Sequence, residues 1–81
     1  MKITIKLFAV AQQLAAQKEI VVEVADDARV ADLRRALIER LPQLASVSRQ
    51  LAFAVNTQYV ADGEFVPASA EVAVIPPVSG G

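Results

Sequence analysis

The chain ends in Pro-Pro-Val-Ser-Gly-Gly, and this tail holds the most distinctive chemical group of the sequence, the α-carboxylate of Gly81. Pro76 and Pro77 lack backbone N–H groups and cannot extend a strand that precedes them. Paired prolines favour an extended polyproline conformation. Gly80 and Gly81 have no side chains, so they can enter a slot too narrow for a Cβ atom. The pattern predicts a stiff arm whose slim tip presents a carboxylate.

A carboxylate becomes a good electrophile only after a nucleotide or a similar group has activated it. The tail therefore predicts a carrier protein whose cargo is attached at Gly81, and an activating enzyme that closes around the tip. Val78 and Ser79 lie between the prolines and the glycines, and residues 78–81 reach roughly 14 Å at ~3.5 Å each. A frayed Gly-Ser terminus without function is the alternative interpretation.

The composition of the 81-residue chain excludes several classes of catalytic site. It contains no cysteine and no histidine, which excludes a disulfide framework, a Cys/His zinc site and a Ser-His or Cys-His nucleophile pair. Eight Lys plus Arg and nine Asp plus Glu give a formal charge of −1, without the basic stripe that nucleic-acid binding needs. No stretch approaches the ~18 apolar residues of a membrane span. We therefore expect a cytoplasmic protein without a bound metal, nucleic acid or membrane.

Alternating apolar and polar residues predict the first two strands, at 2–8 and 18–24. Between them, residues 9–17 are rich in helix formers and predict a short helix. A longer helix follows, in which we expect Asp26 and Asp27 to supply the cap chemistry of the helix start and Asp32 to add a negative charge near the first turn. Pro42 is expected to end the element. Its apolar face has the helical spacing of Val30, Leu33, Leu37 and Leu41.

The second half of the chain predicts a loop and three further strands. Residues 43–50 predict a loop with at most one helical turn. Strands are expected at 51–56, 59–61 and 71–75, separated by turns at Asn56-Thr57-Gln58 and Asp62-Gly63. The order of elements predicts an α+β fold, a β-grasp or ubiquitin-like roll. Its mixed sheet of about four to five strands would have the first and last strands side by side, with one main helix across one face. We expect this domain to span 1–75 and the extended tail 76–81.

The sequence "EVAVIPPVSGG" at 71–81 closely resembles the C-terminal signature of the small, sulfur-carrier subunit of molybdopterin synthase, the MoaD-like proteins. Weaker matches are "KLFA" at 6–9, "VADLRRAL" at 30–37 and "AVN" at 54–56. The resemblance covers the whole chain, and it implies the β-grasp fold that the order of elements also indicates.

The resemblance implies a specific chemistry for the tail. An ATP-dependent adenylating partner would convert the Gly81 carboxylate to an acyl-adenylate, and a sulfur donor would replace AMP to leave a thiocarboxylate. The tail would then enter a large catalytic subunit, and sulfur would pass to cyclic pyranopterin monophosphate to build the molybdopterin dithiolene. The family's complex contains two small and two large subunits. The chain itself would be a non-catalytic subunit that binds no cofactor, since ATP is used by the partner.

Strand parity predicts which residues contact a partner. If Ile3, Ile5 and Leu7 face the core, Phe8 faces outward. In the last strand Ile75 faces outward if Val72 and Val74 face the core, and Tyr59 is expected on the same sheet face. The family carries apolar residues at these three places for docking, so Phe8, Tyr59 and Ile75 are the expected contacts. The alternative is that Phe8 and Tyr59 pack beneath the helix or a loop.

The sequence also departs from the family and leaves other functions open. Gln12 stands where many members have an arginine, and Pro67 and Ala68 make the turn before the last strand less polar. Both departures concern the choice of partner. A sulfur carrier for thiamine or cysteine synthesis, a ubiquitin-like modifier joined through Gly81 to lysines, and a plain interaction module are the alternative functions.

Overall fold

The computed structural model describes residues 1–76, which form a five-stranded sheet with two α-helices and a 3₁₀ segment. The two helices follow the first and second strands, and the 3₁₀ segment precedes the third. In chain order the elements are β1 (Lys2–Leu7), α1 (Ala9–Ala15), β2 (Glu19–Glu23), α2 (Val30–Arg40), the 3₁₀ segment (Pro42–Gln50), β3 (Ala52–Val55), β4 (Gln58–Val60) and β5 (Val72–Ile75).

The sheet has the strand order β2-β1-β5-β3-β4. Strands β1 and β5 pair in parallel, whereas the other neighbours are antiparallel. The first and last strands therefore lie side by side in the middle of a mixed sheet, and the β-grasp prediction is confirmed. Strand β5 therefore has a neighbouring strand on each side, β1 and β3, at the point where the chain continues beyond it.

One face of the sheet and one face of α2 form the core. Every second residue of β1 is buried, and Val72 and Val74 of β5 lie beside them. Burial of alternate residues agrees with the parity expected from the sequence. The predicted apolar helix face is also buried: Val30, Leu33, Leu37 and Leu41 are each at most 5% exposed. Phe53 of β3 is the largest fully buried side chain.

The prediction that Asp26 and Asp27 cap α2 is wrong. The backbone is still extended at Arg29, whose N–H donates to Oδ2 of Asp32 at 2.8 Å. Ala28 is buried, and its carbonyl accepts a hydrogen bond from the backbone N–H of Val66. This contact keeps the backbone extended before Arg29, so the helix begins later in the chain than predicted. Asp26 instead lies 3.1 Å from the N-terminal amine. Thus Asp32, expected only as a first-turn charge, caps the helix from within.

The loop predicted at 43–50 is more regular than expected, since 3₁₀ turns run from Pro42 to Gln50. Leu44 is fully buried and fixes this segment against the core. The segment is joined to the rest of the fold by Arg34 of α2, which donates to the carbonyls of Ser48 and Leu51. A single apolar anchor and a side chain from another element therefore order a stretch that lacks a long-range sequence pattern.

Candidate functional site

The predicted tail begins where β5 ends. Pro76 is buried and lies outside the strand, immediately after Ile75. The other predicted tail residues, Pro77, Val78, Ser79, Gly80 and Gly81, lie outside the described residues. Their roles, and the division of the chain into a domain and a tail, stay predictions.

The face of the sheet opposite α2, called here the outer face, carries the residues expected to contact a partner. The strand register aligns Lys6, Ala73, Ala54 and Tyr59 in one row across β1, β5, β3 and β4. Nearer the end of β5, Ile75 pairs with Ala52. Phe8 follows Leu7, the partner of Val74, with an extended backbone, so its side chain lies on the outer face beside Ile75.

The exposure of these residues distinguishes between the two interpretations left open by the sequence. Tyr59 is 69% exposed and Phe8 46% exposed, while Ile75 is partly buried. Phe8 and Tyr59 therefore do not pack beneath the helix or a loop. The structure places Phe8 and Ile75 at the end of the sheet from which the tail leaves. Tyr59 lies on the same face in β4, which is separated from β5 by β3. Contact with a partner stays a prediction.

Three small residues between these side chains were missed by the sequence analysis. Ala52, Ala54 and Ala73 form the floor of the outer face, and a depression of about 180 Å³ lies over Ala54 and Ala73. Lys6 and Glu71 border it and lie 3.5 Å apart. The signal was available in the sequence, because alanine occupies every outward position of β3 and β5 before Ile75. Such a shallow trough can accept a bulky apolar side chain.

Helix α1 presents a further apolar surface at the end of β1. Ala11 and Ala15 are buried, whereas Val10 and Leu14 are about 40% exposed one helical turn apart. The sequence analysis assigned no partner role to these two residues. Gln12, the departure from the family, is half-buried in this helix.

Residues 1–76 contain no cluster of three or more Asp, Glu, His or Cys residues placed to hold a metal. Within the same residues, no helix combines the length and apolarity needed to span a membrane.

Comparison with known proteins places this arrangement in a family. The ThiS family matches residues 5–81, nearly the whole chain. The chain belongs to the ThiS family. A molybdopterin synthase sulfur carrier subunit from Chlamydomonas reinhardtii is 39% identical over 83 aligned residues, which cover 100% of both chains. One from Homo sapiens is 30% identical and covers 99% of this chain and 94% of the relative.

Solved structures agree with this assignment of the ThiS-family chain. SAMP1 from Haloferax volcanii superposes with a TM-score of 0.87 at 33% identity, covering 100% of both chains. A putative molybdopterin converting factor subunit 1 from Pyrococcus furiosus superposes with a TM-score of 0.84 at 30% identity, covering 96% of this chain and 99% of the other. The resemblance on which the sequence analysis relied, and the fold it implied, are confirmed.

Proposed function

We propose that this ThiS-family chain is the sulfur-carrier subunit of a molybdopterin synthase, with Gly81 as the carrier group. The observation that carries the proposal is the full-length similarity to relatives of that name. The fold agrees, because β5 lies in the centre of the sheet and leads directly into the proline-glycine tail. A carrier needs a folded body that partners recognise and a slender end that their active sites can accept.

The proposed reaction uses the Gly81 carboxylate as its only reacting group in this chain. In the adenylating partner, a carboxylate oxygen attacks the α-phosphate of ATP, and pyrophosphate leaves. Sulfur delivered at the oxidation level of sulfide (HS⁻) then attacks the acyl carbon, AMP leaves and the sulfur loses its proton, so that a thiocarboxylate is formed. In the large subunit this sulfur passes to cyclic pyranopterin monophosphate, and two transfers build the dithiolene. Bases and pterin contacts belong to the partners, so the chain needs neither Cys nor His.

The outer face is proposed as the surface that docks on the large subunit, in an assembly of two small and two large subunits. Phe8 and Ile75 flank the start of the tail, and Tyr59 stands at the far side of the alanine floor. Aromatic residues around a small-residue trough are typical of interface anchors, since each buries a large area at a low cost in side-chain entropy. Docking on this face would deliver the tail to the partner's active site.

Deletion of Gly81 tests the proposed carrier group. We expect the shortened chain to fold normally and to lose sulfur transfer completely, because the reacting carboxylate would be one residue short of the activating site. The measurement is intact mass after incubation with the adenylating partner, ATP and a sulfur donor. Oxidation of Met1 nearly equals an oxygen-to-sulfur exchange in mass, so tandem spectra must locate the change on the final glycine. Substantial sulfur transfer by the shortened chain would refute the proposal.

A ubiquitin-like protein modifier is the second candidate, and the structural neighbours favour it specifically. SAMP1 is a small archaeal modifier protein, and a second structure of the Haloferax volcanii protein is 31% identical to this chain. An activated Gly81 could form an isopeptide bond to a lysine as readily as it accepts sulfur. Abundant Gly81 isopeptides on many cellular proteins, found by mass spectrometry after proteolysis, would support the modifier function.

A carrier for thiamine or cysteine synthesis would share the same activated tail. The discriminating experiment incubates the thiocarboxylated chain with the large subunit of each pathway in turn. Sulfur transfer to the pterin supports the proposed function. Transfer to a thiazole or to a cysteine precursor would instead assign the chain to thiamine or cysteine synthesis.

A further inference from the structure

The edge strand β2 presents backbone groups that the sheet does not use. Val24 exchanges both of its backbone hydrogen bonds with Met1, and the N–H of Leu7 donates to the carbonyl of Lys18. In an antiparallel pair, residues whose backbone groups face the neighbouring strand alternate with residues whose groups face away. The backbone N–H and C=O groups of Glu19, Val21 and Glu23 therefore point away from β1, at the free edge of the sheet.

One side chain partly covers this edge. Arg40, in the last turn of α2, donates from Nη1 to the carbonyl of Val21 at 3.1 Å. Within residues 1–76 this is the only hydrogen bond to an outward backbone group of Glu19, Val21 or Glu23. Arg40 is itself exposed, so a competing backbone donor can displace it at low cost. Among the outward backbone groups of Glu19, Val21 and Glu23, a side chain therefore covers only the carbonyl of Val21.

The side chains of this edge set the kind of strand that can pair with it. Glu19, Val21 and Glu23 are all exposed on the outer face. Neither glutamate forms a salt bridge with any of residues 1–76. On the other side of β2, strand β1 already shows a matching sequence, because Lys2 lies opposite Glu23, Thr4 opposite Val21 and Lys6 opposite Glu19.

A second copy of this chain is a poor partner for the same edge. Antiparallel pairing of two β2 strands about Val21 would place Glu19 of each copy opposite Glu23 of the other. Like charges directly opposite each other destabilise a strand pair. The two glutamates therefore oppose edge-to-edge self-association and favour a strand with basic residues at the corresponding positions.

We propose that the free edge of β2 binds an extended segment of a partner protein in which basic residues at the first and fifth positions flank an apolar residue at the third. The backbone of this segment would add a sixth strand to the sheet, its basic residues would lie opposite Glu23 and Glu19, and its apolar residue opposite Val21. A groove of about 410 Å³ beside Val24, Ala36 and Glu39 lies just past Glu23, next to the end of the segment that would pair with this residue. Because β2 lies two strands from β5, the tail and most of the alanine floor stay accessible.

A pair of synthetic peptides tests this inference with the full-length chain. The first carries Lys-Thr-Val-Thr-Lys, and the matched control carries Glu-Thr-Val-Thr-Glu, both with blocked ends. Titration followed by amide NMR shifts should show saturable changes at Glu19, Val21 and Glu23 with the lysine peptide. We expect the lysine peptide to bind about tenfold more tightly than the control, because two cross-strand pairs change from like to opposite charge.

Two variants sharpen the test. In the Glu19→Lys/Glu23→Lys variant the preference should invert, so that the glutamate peptide binds more tightly. Arg40→Ala should strengthen binding of the lysine peptide about threefold, because no hydrogen bond to Val21 must be displaced. Arg49→Ala, which removes an exposed arginine of the 3₁₀ segment outside both β2 and the groove, is the matched control and should leave the affinity unchanged.

Several outcomes would overturn the inference. These are equal binding of the two peptides, shifts confined to the outer face around Tyr59, or no saturable shifts at millimolar peptide. Concentration-dependent shifts of β2 without peptide would instead identify a second copy as the occupant. None of these outcomes bears on sulfur loading at Gly81, so failure here is distinguishable from failure of the proposed function.

Discussion

At the scale of single residues, Arg34 joins α2 to segments that have no regular strand pairing. Its guanidinium forms a two-pronged ion pair with Asp62, with Nη2–Oδ1 at 2.7 Å and Nε–Oδ2 at 3.2 Å. It also donates to two carbonyls of the 3₁₀ region and lies 4.9 Å from the centre of the Phe53 ring. The Arg34 side chain is 19% exposed and that of Asp62 is 51% exposed, so solvent screens the ion pair, whereas the hydrogen bonds to the two carbonyls are partly buried.

We expect Arg34→Met to lower the free energy of unfolding by about 2 kcal/mol. Methionine keeps the aliphatic stem but leaves Asp62 and the carbonyls of Ser48 and Leu51 without their donor. Urea unfolding followed by circular dichroism measures the change. Arg35→Met is the matched control, because Arg35 is 69% exposed and pairs only with Asp32 in the described chain; its effect should stay within about 0.5 kcal/mol. Equal losses in the two variants would contradict the role assigned to Arg34.

At the scale of elements, the β3–β4 hairpin contains a strained connection. Val55 pairs with Gln58, so the loop is only Asn56-Thr57, and both residues have positive φ, 50° and 71°. These angles indicate a type I′ turn, in which glycine is preferred at the second position. Asn56 tolerates this conformation; its backbone N–H also donates to the carbonyl of Glu71, and its side-chain Oδ1 accepts the N–H of Glu71. Thr57 is β-branched and has no such compensation within residues 1–76.

Thr57→Gly should raise the free energy of unfolding by about 0.5 kcal/mol. The free energy gained because glycine adopts the left-handed conformation without strain is expected to exceed the larger entropic cost of ordering a glycine on folding. Thr4→Gly is the matched control, since Thr4 is exposed in the middle of β1 with ordinary strand pairing on β2. There the same substitution should cost about 1 kcal/mol. Thermal unfolding of both variants measures the changes, and destabilisation by Thr57→Gly would show that the turn geometry is assigned incorrectly.

At the scale of the whole molecule, recognition and chemistry are expected to be separate. The outer face belongs to a sheet whose core is complete without Tyr59 and Phe8, so these side chains are free to contact a partner. The proposed reacting group, Gly81, lies six residues beyond the end of β5. Variants in the two regions should therefore fail in different assays while the folded body stays intact.

Tyr59→Ala should weaken binding to the large subunit at least about tenfold, because an exposed aromatic anchor is lost. Adenylation of this variant should not change when the adenylating partner is in excess. Phe65→Ala is the control: Phe65 is 60% exposed but stacks on Arg29 outside the sheet, so affinity should not change.

Gly80→Val should have the opposite profile, with adenylation lost and docking retained. Calorimetry measures docking, and pyrophosphate release measures adenylation. Equal loss of both activities in Gly80→Val would contradict the narrow-slot argument.

The sequence by itself determined much of the fold and of the candidate site. Alternation fixed the inward residues of β1 and β5, and spacing of three and four fixed the buried face of α2, because burial imposes the period of each element on the chain. The same parity placed Phe8 and Ile75 on the outer face. The prolines and glycines also predict the extended tail, whose role stays a prediction because residues 77–81 lie outside the described part of the chain.

The tertiary structure decided what depends on residues far apart in the chain. Asp26 and Asp27 have suitable cap chemistry, yet the contact between Ala28 and Val66 keeps the chain extended and leaves the cap to Asp32. The 3₁₀ segment is ordered by Arg34, and the alanine floor exists only because β5 lies between β1 and β3. The open edge of β2 also follows from strand order. Local pattern records which face of an element is buried, but pairing order and long-range hydrogen bonds are fixed only when the whole chain packs.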